Sequence, residues 1–510
     1  MDGKRRIAFN VIWNWAGMVA SILSGLVAAP FLVRTLDETG YGLWILIASL
    51  SGYFGLLDLG VRGSVGRNLA FYRARGDRPQ VNAVLSTALA LLAVPALLSI
   101  VGAAGLAPLF GRLFEVPERR EAAVHFALLL TGVNLAVSIL FSVFDATLWS
   151  MQRFDVLNII DIPVALVRLL LILLLVDQRT GLESLSVITL VSTVLALAAK
   201  ALVTFYLDRA LRIGVRQVTR PTVHLLVNFG VWSWLLSLSR MVSSTYGPIV
   251  IGAQLGVASV TPYSIAARLV GLANGLLMTA SGVLTPVATS LHATDQLRQQ
   301  QKLVLEGGKY CLALSLFFVG GFILLGEAFL DLWMGRLVAA AYPALVILAL
   351  GEVLPLSQWA GGGMIVGMGR HRVLACAGLA ENAAFVALSY LLAETYGLLG
   401  VCWAIALPAF FCRGLLQLWM VCRAVDLSLD RYVREAMLSA TLAAVGPILV
   451  LTALTFLRPV QSWIDLLVYA GLFALVYAVS CAIFIAKLRY PAAHTARLAS
   501  LTIPSPSKSR

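Results

Sequence analysis

Charged side chains fall well inside apolar runs of this chain: Arg168, Arg240, Arg268 and Arg413 as cations, and Asp58, Asp145, Asp161, Glu352 and Glu381 as acids. A charge at the centre of a bilayer costs about 2.5–3.5 kcal/mol on insertion scales. Such groups therefore face a bundle interior or a water-filled cavity, with a counter-charge beside them. The planar guanidinium fork matches phosphate and carboxylate geometry, so arginines in this setting suit a phosphate or pyrophosphate. A buried carboxylate is suited to taking up and releasing a proton, because desolvation disfavours its charged form. Arg268 stands in PYSIAARLVGLANGLLMTASGVLTPVATSL, residues 262–291. Gly271, Ala273, Gly275, Ala280, Ser281 and Gly282 let neighbouring backbones approach, and Pro286 interrupts the helix where neighbours must satisfy the freed groups. The stretch reads as a cavity-lining helix offering a cation.

Arg240 lies near the middle of the preceding apolar segment. The expected substrate contacts are Arg268, Arg240 and Arg168. The expected ion-coupling acids are Asp161, Glu352, Glu381 and Asp58. Each arginine also has a structural reading. Arg268 and Arg240 could bridge to Glu352, Glu381 or a backbone carbonyl, and Arg168 follows Asp161 by two turns, on one helix face. Arg413 and Lys200, toward the inner ends of their segments, read as an anchor and a snorkelling side chain.

The elements that must hold these groups are membrane helices. The chain has 510 residues, 60% hydrophobic and 12% charged, against about 25% charged in soluble proteins. A span needs about 20 mostly apolar residues. Fourteen segments qualify: 8–33, 42–61, 81–107, 122–149, 155–176, 184–206, 224–252, 259–290, 307–330, 340–367, 373–393, 398–422, 435–457 and 463–486. The expected fold is an all-α polytopic membrane protein with no separate globular domain. With both termini inside, inner segments hold 26 Lys and Arg and outer loops seven, as the positive-inside rule requires. That reads as a multi-pass membrane protein with both ends cytoplasmic. The first apolar run is expected to be retained, since no small-residue cleavage site follows it.

The chain also looks repeated. Trp13-Asn14-Trp15 precedes Pro30 much as Trp232-Ser233-Trp234 precedes Pro248, and Tyr41 and Tyr263 open the following segments. Two interfacial Trp pairs and a coincidence of prolines would read the same way. The repeat divides the chain into a six-helix lobe (1–206), a basic cytoplasmic linker (207–223), a second six-helix lobe (224–424), two additional helices (425–487) and a disordered basic tail (488–510). Two such halves are a recurrent transporter design, with the site between repeats.

Soluble chemistry is excluded more readily than transport is specified. There is no GxxxxGK[ST], no HExxH and no DxD on an outer loop, and the five histidines have no ligand spacing. None of the six cysteines forms a CxxC pair, so neither zinc nor a disulfide framework is indicated. No cofactor or metal is expected, and ATP hydrolysis is not. The net charge of +13 sits in loops between spans. It points to anionic membrane lipids or an anionic lipid-linked substrate rather than to nucleic acid. In GLLDLGVRGSVGRNLAFYRARGD (55–77) a basic segment follows Asp58, and Gly60, Gly63 and Gly66 form a small-residue seam. The segment reads as a lipid anchor or as a funnel for an anionic headgroup.

The stretches LVRTLDETGYGLW (32–44), LLDLGVRGSVGR (56–67) and the RARGD turn (73–77), after a first helix expected to end in Pro30, resemble polysaccharide transporters of the multidrug/oligosaccharidyl-lipid/polysaccharide exporter superfamily. YSIAARL (263–269), with Gly275, Gly282 and Pro286, is similar to the family's eighth helix, where flippases carry a functional cation, and Arg268 falls on that position. The resemblance implies a two-lobed bundle with a central cavity, alternating access, and a polyprenyl-pyrophosphate-linked oligosaccharide moved from the cytoplasmic to the outer face. Peptidoglycan-precursor flippases of the superfamily carry an Arg-Asp pair in the first helix. Here that region reads Ala28-Ala29-Pro30, which favours an O-antigen, capsule or exopolysaccharide repeat unit. A polysaccharide polymerase and other assembly proteins are the protein partners such a role implies. Two other readings stand beside it. A drug or cation antiporter would want acids dominating the cavity, and a membrane glycosyltransferase or polymerase would want a large outer loop bearing catalytic groups.

Overall fold

The computed structural model describes residues 3–54, 61–227, 231–282, 284–368 and 371–487. Asp58, Gly60 and the tail 488–510 lie outside them. Among the described residues there are helices and no strands, as apolar segments without water to satisfy their backbone require. In chain order they are α1 (Gly3–Phe54), α2 (Val61–Ala74), α3 (Arg78–Phe114), α4 (Glu118–Ser150), α5 (Phe154–Leu175), α6 (Gly181–Leu207), α7 (Arg220–Val227), α8 (Val231–Gln254), α9 (Val260–Gly282), α10 (Leu284–Ala293), α11 (Leu297–Met334), α12 (Val338–Ser357), α13 (Trp359–Gly367), α14 (His371–Pro408), α15 (Gln417–Ala424), α16 (Leu429–Tyr432), α17 (Leu438–Leu457) and α18 (Trp463–Lys487). Two π-helical turns, Ala409–Leu416 and Val433–Met437, precede α15 and α17.

Ten helical stretches among the described residues are long and apolar enough to cross a membrane. Two of these each contain two of the expected segments. α1 carries the first and the second as far as Phe54, and runs straight through Pro30. The expectation that the helix ends at Pro30 is therefore corrected. A missing N–H is tolerable in a membrane helix where neighbours take up the freed carbonyl, and the break falls seven residues later. There Asp37 has φ 60° and ψ 179°, and its Oδ1 accepts from the Gly40 N–H at 2.9 Å, capping the next helix. α14 joins the eleventh and twelfth expected segments across Gly397, at φ 56° and ψ −136°, a conformation that suits a residue without Cβ.

The helices gather into two compact units: Met1–Ser264 with Ala393–Val401, and Ile265–Leu392 with Cys402–Arg510. In the first, α3 packs on α4, α4 on α6, and α1 on α5. Val65, Leu69, Leu85, Leu92, Ile139 and Val143 form one apolar core. Lipid tails are as apolar as leucine, so close packing rather than hydrophobic transfer holds such helices together. Small residues mark the tight points. Gly132 on α4 lies against Ala103 on α3, and Gly66 on α2 sits where a Cβ would meet the Trp149 ring at 3.3 Å. The connection after α6 packs back on this unit. Leu211 joins the core, the Gly214 N–H donates to Ser86 Oγ, and the Arg212 N–H donates to Asn82 Oδ1.

In the second unit α11 is the central strut. It packs against α12, α13 and α17. Val304, Leu305, Met364, Ile365, Leu418 and Val421 form one core at one end. Toward the other end the Phe317 and Phe473 rings stack at 5.1 Å, and Tyr477 Oη donates to the Ala313 carbonyl at 2.6 Å, docking α18. Gly351 on α12 and Ala406 on α14 meet so closely that a Cβ at Gly351 would lie 2.6 Å from the Ala406 Cα.

Candidate functional site

Arg268 sits two turns into α9, and its side chain is exposed. Gly271 is exposed as well, and a Cβ built there would meet nothing within 4 Å. With Met278, 48% exposed, these residues recur at the spacing of one helical face. The opposite face is buried through Ile265, Ala266, Leu269, Ala273 and Leu277. Asn274 Oδ1 accepts from Trp359 Nε1 at 2.8 Å and ties α9 to α13. α9 is thus fixed on one side and open on the side that carries the guanidinium. Among the described residues nothing forms a hydrogen bond or ion pair with Arg268. Among the described residues its charge is unspent, which suits an anionic ligand.

Arg413, Lys200 and Arg168, other cations of the apolar segments, are engaged. Arg413, in the first π turn, donates through Nε to Glu381 Oε1 at 2.8 Å and through Nη2 to Glu352 Oε1 at 2.6 Å. Both forks of the guanidinium are used, and its Nε and Nη1 reach the second oxygens at 3.0 and 3.3 Å. The carboxylates named as partners for Arg268 and Arg240 are therefore held by Arg413, and Arg413 is a clamp joining α12 to both halves of α14 rather than an end anchor. Lys200 likewise does not snorkel. Its Nζ lies 2.8 Å from Asp145 Oδ1 on α4 and 2.8 Å from Asp161 Oδ1 on α5, with only 8% of the side chain exposed. Asp161 thus pairs across helices with Lys200. Arg168 is exposed and makes an interaction of its own. Arg240 lies on α8, with its side chain outside the described residues.

Two further ion pairs organise the ends of the first unit. Arg120 grips Asp37 through both oxygens at 3.2 and 2.6 Å and pins the turn of α1 to the start of α4. Asp208, after α6, is 2.9 Å from Arg73 and 2.7 Å from Arg78. Burial pulls the Arg73 guanidinium below its usual range, and Asp208 offsets part of that. Neither pair was legible in the sequence, because its members lie far apart along the chain. Among the described residues no three His, Cys, Asp or Glu side chains gather as a metal site.

Residues 7–292 match the family model described as polysaccharide biosynthesis protein. A putative O-antigen transporter of Shigella flexneri is 22% identical over 406 residues, 78% of this chain and 94% of that protein. Among solved structures, the lipid II flippase MurJ in an inward closed conformation superposes with a TM-score of 0.73 at 13% identity, covering 94% of this chain and 99% of its own. An inward-facing multidrug resistance MATE family transporter of the MOP superfamily gives 0.71 at 15% identity, covering 82% and 98%. At these identities the two structures speak to the fold alone, and that fold is the all-helical membrane bundle expected from the sequence.

Proposed function

We propose, from the premise that the chain belongs to the polysaccharide biosynthesis protein family, that it is a flippase for a polyprenyl-pyrophosphate-linked oligosaccharide, an O-antigen, capsule or exopolysaccharide repeat unit. It carries the substrate from the cytoplasmic to the outer face of the bacterial inner membrane by alternating access, without covalent chemistry. The observation that carries the reading is Arg268, exposed on the open face of α9 and without an ion pair or hydrogen bond among the described residues. The pyrophosphate binds this guanidinium through its planar fork, and the lipid tail stays in the membrane. Arg240 and Arg168 are the further cations of the proposed path. The named transport roles of the Shigella relative and the MurJ structure support the same direction.

The test is flipping by purified protein. In proteoliposomes carrying a labelled polyprenyl-pyrophosphate oligosaccharide, a membrane-impermeant glycosidase should reach sugar that began in the protected leaflet only when the protein is present. Protection unchanged by the protein rejects the reading. The orientation we propose has both termini cytoplasmic. Single cysteines at 209–220 should then resist impermeant thiol reagents applied outside intact cells, while cysteines at 112–120 react. Outside labelling of 209–220 would invert the direction of transport.

A further inference from the structure

The α2–α3 turn and the segment after α6 meet around one carboxylate. Asp208, 7% exposed, lies 2.9 Å from Arg73 Nη1 and 2.7 Å from Arg78 Nη1. Two guanidiniums on one carboxylate leave this cluster short of acceptors. Arg73 Nε and Nη2 are buried without a hydrogen-bond partner, and a buried donor left unpaired is costly. Arg78 gives only Nη1 to Asp208. Its side chain is 57% exposed, with Nε and Nη2 unused among the described residues. The other acids at this end of the first unit already have partners. Asp155 pairs with Arg153, and Asp77 caps α3 through the Gln80 N–H.

The same two elements share a second feature. Each presents an exposed aromatic ring with an arginine over it. The Arg75 guanidinium, just past α2, lies 4.1 Å from the centre of the Phe71 ring, and Phe71 is 46% exposed. The Arg209 guanidinium, just past α6, lies 5.8 Å from the centre of the Tyr206 ring, and Tyr206 is 71% exposed. Both arginines stand beside members of the Asp208 cluster in the chain, and neither has an ion pair among the described residues. Tyr206 ends an exposed apolar stripe that includes Leu202 and Phe205, at the spacing of one helix face. An aromatic ring with a cation at its watery end is how a helix terminus sits at the membrane–water boundary.

We propose that this end of the first unit binds an anionic phospholipid, its phosphate held by Arg75, Arg78 and Arg209 and its acyl chains lying along the apolar stripe of α6. Arginine takes phosphate oxygens through charge-assisted, often bidentate bonds. A free phosphate would need the cations alone. The exposed apolar face leading up to them fits a molecule with hydrocarbon beneath its charge, which commits the site to a lipid. A zwitterionic headgroup brings its own cation against the arginines, so the site selects net negative charge. A bound lipid bridges the α2–α3 turn to the segment after α6, the two elements that Asp208 already joins. The proposal stands apart from the flippase reading, since it uses none of the cations placed on the transport path.

The test takes the full chain, delipidated in detergent, and titrates it with phosphatidylglycerol or phosphatidylcholine of the same acyl chains, counting bound lipid by native mass spectrometry. Phosphatidylglycerol should bind the parent more tightly. Arg75→Gln with Arg209→Gln leaves both ion pairs of Asp208 in place, so the fold is kept. It should weaken phosphatidylglycerol about 30-fold, at about fivefold for each cation beside an anionic lipid. Arg112→Gln with Arg119→Gln removes the same net charge at the opposite end of α3 and should bind like the parent. Equal binding of the two lipids by the parent would overturn the proposal. So would an equal loss in both double variants, which would reduce the effect to net charge. Displacement of phosphatidylglycerol by an equal concentration of inorganic phosphate would make this a free-anion site. Displacement by an equal concentration of polyprenyl-pyrophosphate oligosaccharide would give it to the transported lipid, and either result rejects the phospholipid. Phosphatidylglycerol that persists against both upholds it.

Discussion

Arg268→Ala is expected to abolish surface glycan while leaving the amount of folded protein unchanged. The two halves of this expectation have separate causes. The guanidinium is exposed and, among the described residues, makes no hydrogen bond or ion pair, so its removal should cost the fold no more than the roughly 0.5 kcal/mol of an ordinary surface change. Its proposed ligand is a pyrophosphate, and truncating one partner of a buried, hydrogen-bonded charge pair costs about 2–5 kcal/mol. That is a loss of about 30-fold to several thousand-fold in affinity. Arg268→Lys keeps a point charge without the planar fork, so it should restore part of the export. The measurement is surface glycan in cells carrying each variant, normalised to monodisperse protein in detergent extracts. Normal glycan from Arg268→Ala would remove this residue from the mechanism.

The contrast with Arg413 shows how far the sequence could be read. Each of the fourteen apolar segments overlaps helix, because length and hydropathy are local properties. Arg268 stood out for the same reason, as a charge in a run that otherwise suits lipid. Pairing between helices is not local. The spacing of Asp161 and Arg168 puts both on one face, and the spacing gives no sign that Asp161 also lies 2.8 Å from Lys200 on the next helix. Lys200 and Arg413 read as end anchors because both lie toward the inner ends of their segments. Only the packing of three helices turns each into a bridge, and the π turn around Arg413 has no signature in residue type. The break in α1 shows the reverse error. Pro30 is the conspicuous residue, yet the chain turns at Asp37, whose side chain caps Gly40 and is held by Arg120.

Arg413→Met is expected to be the most destabilising change among the intramembrane charges. It leaves Glu352 and Glu381 facing each other with no cation between them. Breaking a buried ion pair by deleting one partner costs about 3–5 kcal/mol, a large share of the 5–15 kcal/mol that typically holds a domain folded. The variant should therefore be scarce and aggregated in detergent extracts, whatever its transport. Replacing the acids as well, as Arg413→Met with Glu352→Gln and Glu381→Gln, removes the stranded charges and should return much of the folded protein. Arg413→Lys should fall between, because one ammonium cannot serve both carboxylates through the two forks that Nε and the Nη atoms now provide. Recovery in the triple variant assigns the loss to uncompensated charge. If Arg413→Met is as abundant and monodisperse as the parent, the three side chains do not hold α12 and α14 together.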